Sequence, residues 1–156
     1  MKKLNIVLLA ILILLIAFVA CFFIGGTLRA QPRKAAVAAD DQPDAFASIQ
    51  NILASGGAPR QFGEAPSSAD GCTLMDVTIM LSNYGLFDAE WIDLTLAPAQ
   101  GDIAVYSLTG EASSLPARST GQVNLKLITT AAADAPRTVE IRYYIFGMKR
   151  SVTVAI

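Results

Sequence analysis

The chain contains no histidine and only two cysteines, Cys21 and Cys72. Without histidine, the commonest general base near neutral pH and the commonest neutral metal ligand are missing. Every Ser-His, Cys-His or zinc-histidine arrangement goes with them. Cys21 sits inside an apolar run, so no internal disulfide is expected and a core, with any partners, must stabilise the body. Basic residues are also scarce. Twelve Lys and Arg face thirteen Asp and Glu, and two of the twelve, Lys2 and Lys3, precede the apolar run, so the body carries ten against thirteen. With no basic tract, nucleic acid is not an expected partner. No βαβ alternation is present to support a parallel sheet.

Charge is missing altogether from residues 4–26, LNIVLLAILILLIAFVACFFIGG. As a helix this run reaches roughly 34 Å, enough for a hydrocarbon layer of about 30 Å. The expectation is a single-pass transmembrane helix, residues 1–28 being the anchor and residues 4–26 the contact with the lipid bilayer. Lys2 and Lys3 favour a cytoplasmic N-terminus and an extracytoplasmic C-terminal domain, although Arg29, Arg33 and Lys34 nearly balance them on the other flank. The rival is a cleaved leader, whose apolar core of about 7–15 residues should end in small residues; here it continues through Phe22, Phe23 and Ile24. Cys21 after Val19 and Ala20 faintly suggests lipidation, against which the two phenylalanines argue.

Residues 29–71 read as a tether, rich in alanine and interrupted by Pro32 and Pro43, with a short amphipathic helix at 44–55 and a loop after it. Phe46, Ile49, Ile52 and Leu53 recur at spacings of three and four and share one helical face. Asp44 is its expected N-cap and Gly56 its stop. From Cys72 the period changes to two. Met75, Val77, Ile79 and Leu81 point one way; Ile92, Leu94 and Leu96 form a second inward set. Ile103–Leu108 is a shorter strand. Val123, Leu125 and Leu127, then Val139, Ile141, Tyr143 and Ile145, and finally Val152, Val154 and Ile156 complete the pattern, with a tight turn around Gly147. Six short strands imply a mainly β body, an antiparallel β-sandwich over residues 72–156, with room for a seventh strand in residues 58–69.

The strand VTIMLSNYG, with Asn83 and Gly85 at its end, and the later LPARSTGQVNLKL, where Pro116 and Ser119 precede an alternating strand, resemble the immunoglobulin-like modules of the water-stress and late-embryogenesis type 2 domain family. The cell-adhesion-related bacterial and archaeal modules are similar in the same way. The resemblance covers about residues 72–156 and implies binding, scaffolding or protection, with no catalytic residues to carry over.

No residue pattern points to catalysis, a metal or a cofactor, and the chain is not expected to be an enzyme. Asp88, Glu90, Asp93 and Asp102 supply the oxygen ligands a hard cation takes, but their spacing is not that of a calcium loop, and Glu90 and Asp93 have opposite strand parity. No Lys or Arg lies between Arg60 and Arg118 while eight acidic residues do, so acidic and basic strands either offset one another or form faces of opposite sign. The candidate partner contacts are Phe46, Ile49 and Leu53 on the helix and Trp91, Tyr144 and Phe146 among the strands. Tyr144 and Phe146 have the parity opposite to the inward set, so something must cover them. The first functional expectation is an accessory subunit of the cell envelope, anchored in the cell membrane and packing on other membrane protein subunits. The alternative is an extracytoplasmic binding module for a glycan or protein ligand, which requires Trp91 or the tyrosines to be exposed.

Overall fold

Alternating apolar residues on six strands need a second layer to face, and the chain supplies it as two antiparallel sheets closed over one core. The computed structural model describes residues 2–24, 28–110 and 113–156, with side chains in the first helix described over residues 5–20. The side chains of Lys2, Lys3, Cys21, Phe22 and Phe23, and Glu111 as a whole, lie outside the described residues. The elements are α1 (Lys2–Ile24), β1 (Leu28–Ala38), a 3-10 turn (Ala39–Asp41), α2 (Pro43–Ala54), β2 (Arg60–Gln61), β3 (Thr73–Asn83), β4 (Ala89–Ala97), β5 (Asp102–Gly110), β6 (Ser114–Leu115), β7 (Thr120–Thr129), β8 (Thr138–Ile145) and β9 (Met148–Ala155). The larger sheet runs β1-β3-β7-β5-β2 and the smaller β6-β4-β8-β9. Between them lie the inward sets read from the sequence, among them Val77, Ile79, Leu127, Val139 and Ile141, all fully buried.

The anchor is corrected. Helix α1 forms through the apolar run, and its described large apolar side chains, from Ile6 to Val19, are exposed. Among the described residues no helix is long and apolar enough to cross a membrane. The single-pass topology, the bilayer contact through residues 4–26, the cytoplasmic N-terminus, the extracytoplasmic body and the role as a membrane-anchored accessory subunit therefore lose their support.

The tether is also different. Residues 28–38 pair with β3 along their whole length, from Leu28 opposite Asn83 to Ala38 opposite Thr73, so the larger sheet begins at Leu28 rather than near Cys72. Pro32 is tolerated because β1 is an edge strand, where a missing N–H breaks no ladder on the open side. Pro43 occupies the first turn of α2, where its fixed φ suits a helix start; Gln42, not Asp44, takes the N-cap position. Gly56 follows the helix at φ 69°, the left-handed stop the sequence suggested.

Helix α2 lies on the outer face of the larger sheet. Phe46, Ile49 and Leu53 are buried there with Leu74, Ile103, Ala104 and Ile128, a second small core on the far side of the same strands. Cys72 is buried in it, its Sγ donating to the Ser68 carbonyl at 3.7 Å. Burial pushes the Cys72 thiol up, and the negative charges of Asp40 and Asp70 push it the same way. The thiol is therefore protonated at neutral pH and a poor nucleophile. Alkylation by iodoacetamide at pH 8, read at the Cys72 peptide by mass spectrometry, is expected to be about tenfold or more slower in the native chain than in urea; equal rates would contradict the buried site.

Candidate functional site

Helix α2 covers the larger sheet, and among the described residues no helix covers the outer face of the smaller one. At one end of that sheet three segments meet: the 84–88 loop, the start of β4 and the β8–β9 turn. In β4, Glu90 lies opposite Tyr144 and Asp93 opposite Arg142, so β4 carries one residue more than β8 between these pairs. This is a β-bulge, which re-aims a side chain and adds local twist. Trp91 sits in it at φ 54° and is 75% exposed. The same extra residue reverses the parity of the strand, so Glu90 and Asp93, expected on opposite faces, are both exposed.

The β8–β9 turn has the same character. Ile145 pairs with Met148, leaving Phe146 and Gly147 as a two-residue loop with both φ positive, 50° and 74°. That is the hairpin geometry whose twist matches the strands, normally filled by Asn-Gly or Gly-Gly. A bulky side chain at its first position is strained. Phe146 is nevertheless 62% exposed, and its ring meets Phe87 edge-on, with centroids 4.7 Å apart and planes at 67°. Strained residues of this kind cluster where a structure holds a side chain for use. Two shallow depressions result. One, of about 290 Å³, is lined by Leu86, Phe87, Asp88, Glu90 and Phe146. The other, of about 320 Å³, is lined by Glu90, Trp91, Tyr144 and Gly147. Glu90 belongs to both.

The loop beneath this patch is held by Asn83, which is buried. Its Nδ2 donates to the carbonyls of Phe87, Leu115 and Pro116 at 2.8, 3.1 and 3.1 Å, and its Oδ1 accepts from the Gly85 N–H at 2.9 Å. The last bond is the side-chain to backbone turn that Asn favours; of the other three, the one to Phe87 holds the loop and those to Leu115 and Pro116 join it to the segment before β7. Asp88 adds a bond, its Oδ1 accepting from the Ala117 N–H at 2.8 Å. Asn83→Ala strands those carbonyls and is expected to cost about 1–3 kcal/mol, measured by urea denaturation, with Asn83→Asp worse because a carboxylate would face three carbonyl oxygens.

Of the sequence-derived contact residues, the fold brings Trp91, Tyr144 and Phe146 to one end of the smaller sheet and commits Phe46, Ile49 and Leu53 to the α2 core. Tyr84 stands beside the patch, 62% exposed, with the Arg29 guanidinium 5.2 Å from its ring centroid. Tyr106 is elsewhere, half-buried near α2. Asp102 is not a cation ligand. It is bonded by Arg137 Nε at 3.0 and 2.9 Å and by Nη2 at 2.7 Å, and it accepts from the Ala99 N–H at 2.7 Å. Among the described residues no group of three potential ligands could hold a metal ion.

No family model matches the chain, and no curated protein does. Among solved structures, it is similar to the archaellum periplasmic stator protein FlaG from Sulfolobus acidocaldarius, at 15% identity and a TM-score of 0.37 over 62% of this chain and 95% of that one. It is also similar to the GAE domain of GGA2p from Saccharomyces cerevisiae, at 12% identity and a TM-score of 0.36 over 63% of this chain and 96% of that one. Both are loose neighbours of a mainly β, two-sheet fold.

Proposed function

We propose that the chain is a non-catalytic binding module that takes a protein ligand against the aromatic end of its smaller sheet. The observation that carries this is Trp91, held out of the core on a bulge, in a backbone conformation that bulky residues rarely adopt. Large aromatic rings left exposed in a cluster are characteristic of contact surfaces, where they supply area at little entropic cost. The same reading keeps the immunoglobulin-like module of the water-stress and late-embryogenesis type 2 kind as the finer description of the fold. In its favour, Asn83 and the residues around Pro116 and Ser119 are bonded to one another: the Asn83 N–H donates to the Ser119 carbonyl at 2.9 Å, and Ser119 Oγ to the Pro116 carbonyl at 2.7 Å.

Trp91→Gly tests the proposal, because glycine accepts φ 54° without strain. Stability is expected to stay within about 1 kcal/mol of the parent, relief of strain offsetting the added backbone freedom, while a ligand retained by the parent chain is released. A ligand set identical for parent and variant would sink the reading.

A further inference from the structure

The acidic stretch between Arg60 and Arg118 is only partly neutralised by the fold. Lys126 Nζ stands 3.4 Å from Asp76, and Arg137 Nη2 stands 2.7 Å from Asp102. Among the described residues, Asp88 and Glu90 have no such ion pair. These two carboxylates line the aromatic depressions, Asp88 one of them and Glu90 both. The nearest cation by register is Arg142, on β8 two residues from Tyr144, but its guanidinium is engaged by Glu140 at 3.2 Å and by Thr95 at 2.8 Å; Lys149 lies one strand further off, on β9 opposite Tyr144.

An ionised carboxylate only accepts hydrogen bonds, and an aromatic face attracts positive charge. A carboxylate shared by two ring-lined hollows is complementary to a cation on both counts. Resting on the binding reading above, we propose that these depressions receive a cationic side chain, an arginine or lysine of the protein ligand. Glu90 is its counter-ion, and Trp91 and Tyr144 are the rings it lies against. Asp88, whose Oδ1 is already engaged by the Ala117 N–H, contributes charge more than a direct bond. A guanidinium fits best, because its plane stacks on an indole while its edge donates to a carboxylate.

Trp91 is the only tryptophan of the chain, so its emission reports this site alone. The full-length chain is titrated with N-acetylarginine methylamide and, in parallel, with the citrulline analogue, which has nearly the same shape without the charge. Arginine is expected to shift the emission at concentrations about tenfold lower than citrulline. The advantage should shrink in 0.5 M NaCl and disappear in Glu90→Gln, while Glu64→Gln, on a loop away from the site, keeps it. Equal response to the two probes, no response to either, or an arginine preference that survives Glu90→Gln would overturn the proposal. So would a stronger response to cellobiose, which would leave a binding surface in place but change its ligand. The binding reading fails separately, when Trp91→Gly and the parent retain the same ligands.

Discussion

Arg137→Met is expected to lower the unfolding free energy by about 3–5 kcal/mol at pH 7, the cost of leaving a buried carboxylate without its cation. Arg137 and Asp102 have side-chain exposures of 0% and 1%, so no solvent screens the pair. Arg137 spends nearly all its donors: Nε and Nη2 on Asp102, Nη2 also on Thr129 Oγ1 at 3.2 Å, and Nη1 on the carbonyls of Ala135 and Ala132 at 3.0 and 3.4 Å. These bonds tie the start of β5, the end of β7 and the 130–137 connection that carries the chain from one sheet to the other. Burial alone raises the carboxyl pKa, but the hydrogen bonds from Arg137, Thr129 and Ala99, with the Arg137 charge, outweigh it and hold Asp102 below the usual carboxylate range. A depressed native pKa contributes stability above the unfolded value of about 3.9, and that contribution is lost as pH falls through the native one. The parent should therefore weaken below about pH 4. In Arg137→Met the hydrogen bonds and charge of the arginine are lost while burial and the bonds from Thr129 and Ala99 remain, so the Asp102 pKa rises and protonation relieves the defect. The gap between the two proteins, read from urea midpoints at pH 7 and pH 3.5, should narrow at the lower pH. A gap that widens there, or is absent at pH 7, would contradict the role given to the pair.

Local pattern reveals those parts of the fold that local pattern causes. The inward sets of β3, β7 and β8 alternate because one face of each is buried, and Phe46, Ile49 and Leu53 recur with the helical period because α2 has one face to bury. The run at residues 4–26 makes a helix for a similar reason; that it crosses a membrane is a further step, which the described residues do not support. Three other features depend on what lies opposite. Leu28 and Ala30 are the inward apolar residues at the start of β1, and the rest of that strand is Ala, Lys, Arg, Gln and Pro with an exposed Val37; an edge strand half in solvent has no alternation to display. The bulge at Trp91 is one residue of register, set by β8, and it inverts every parity argument across it. Arg137 follows a linker-like TAAADAP, and nothing near it in the chain announces a partner 35 residues away. Trp91, Tyr144 and Phe146 were legible as rings in need of an explanation, whereas Glu90 and its place between two hollows came only with the bulge.

Removal of residues 1–38 is expected to unfold the chain, whereas removal of residues 1–27 is expected to leave its stability within about 1 kcal/mol. Nothing described in α1 is buried, so its loss takes no core residue with it. Strand β1 is different. It pairs with β3 over 11 residues and places Leu28 in the main core, with the Leu28 N–H donating to Tyr143 Oη at 3.4 Å. At a net of about 1 kcal/mol for each ladder bond, the pairing is comparable to the whole stability of a domain, about 5–15 kcal/mol. Its loss would also turn β3, the strand TLMDVTIMLSN, into a long open edge. Proteins guard such edges with short strands, charges and proline, and β1 carries Arg29, Pro32, Arg33 and Lys34 along its length. The shorter chain should therefore aggregate as well as unfold. A synthetic peptide of residues 28–38 added during refolding should restore solubility and a cooperative urea transition, because a strand supplied in trans can reoccupy the edge of β3. A soluble, cooperatively folding chain that begins at Ala39 would show that β1 is the tether its composition suggests.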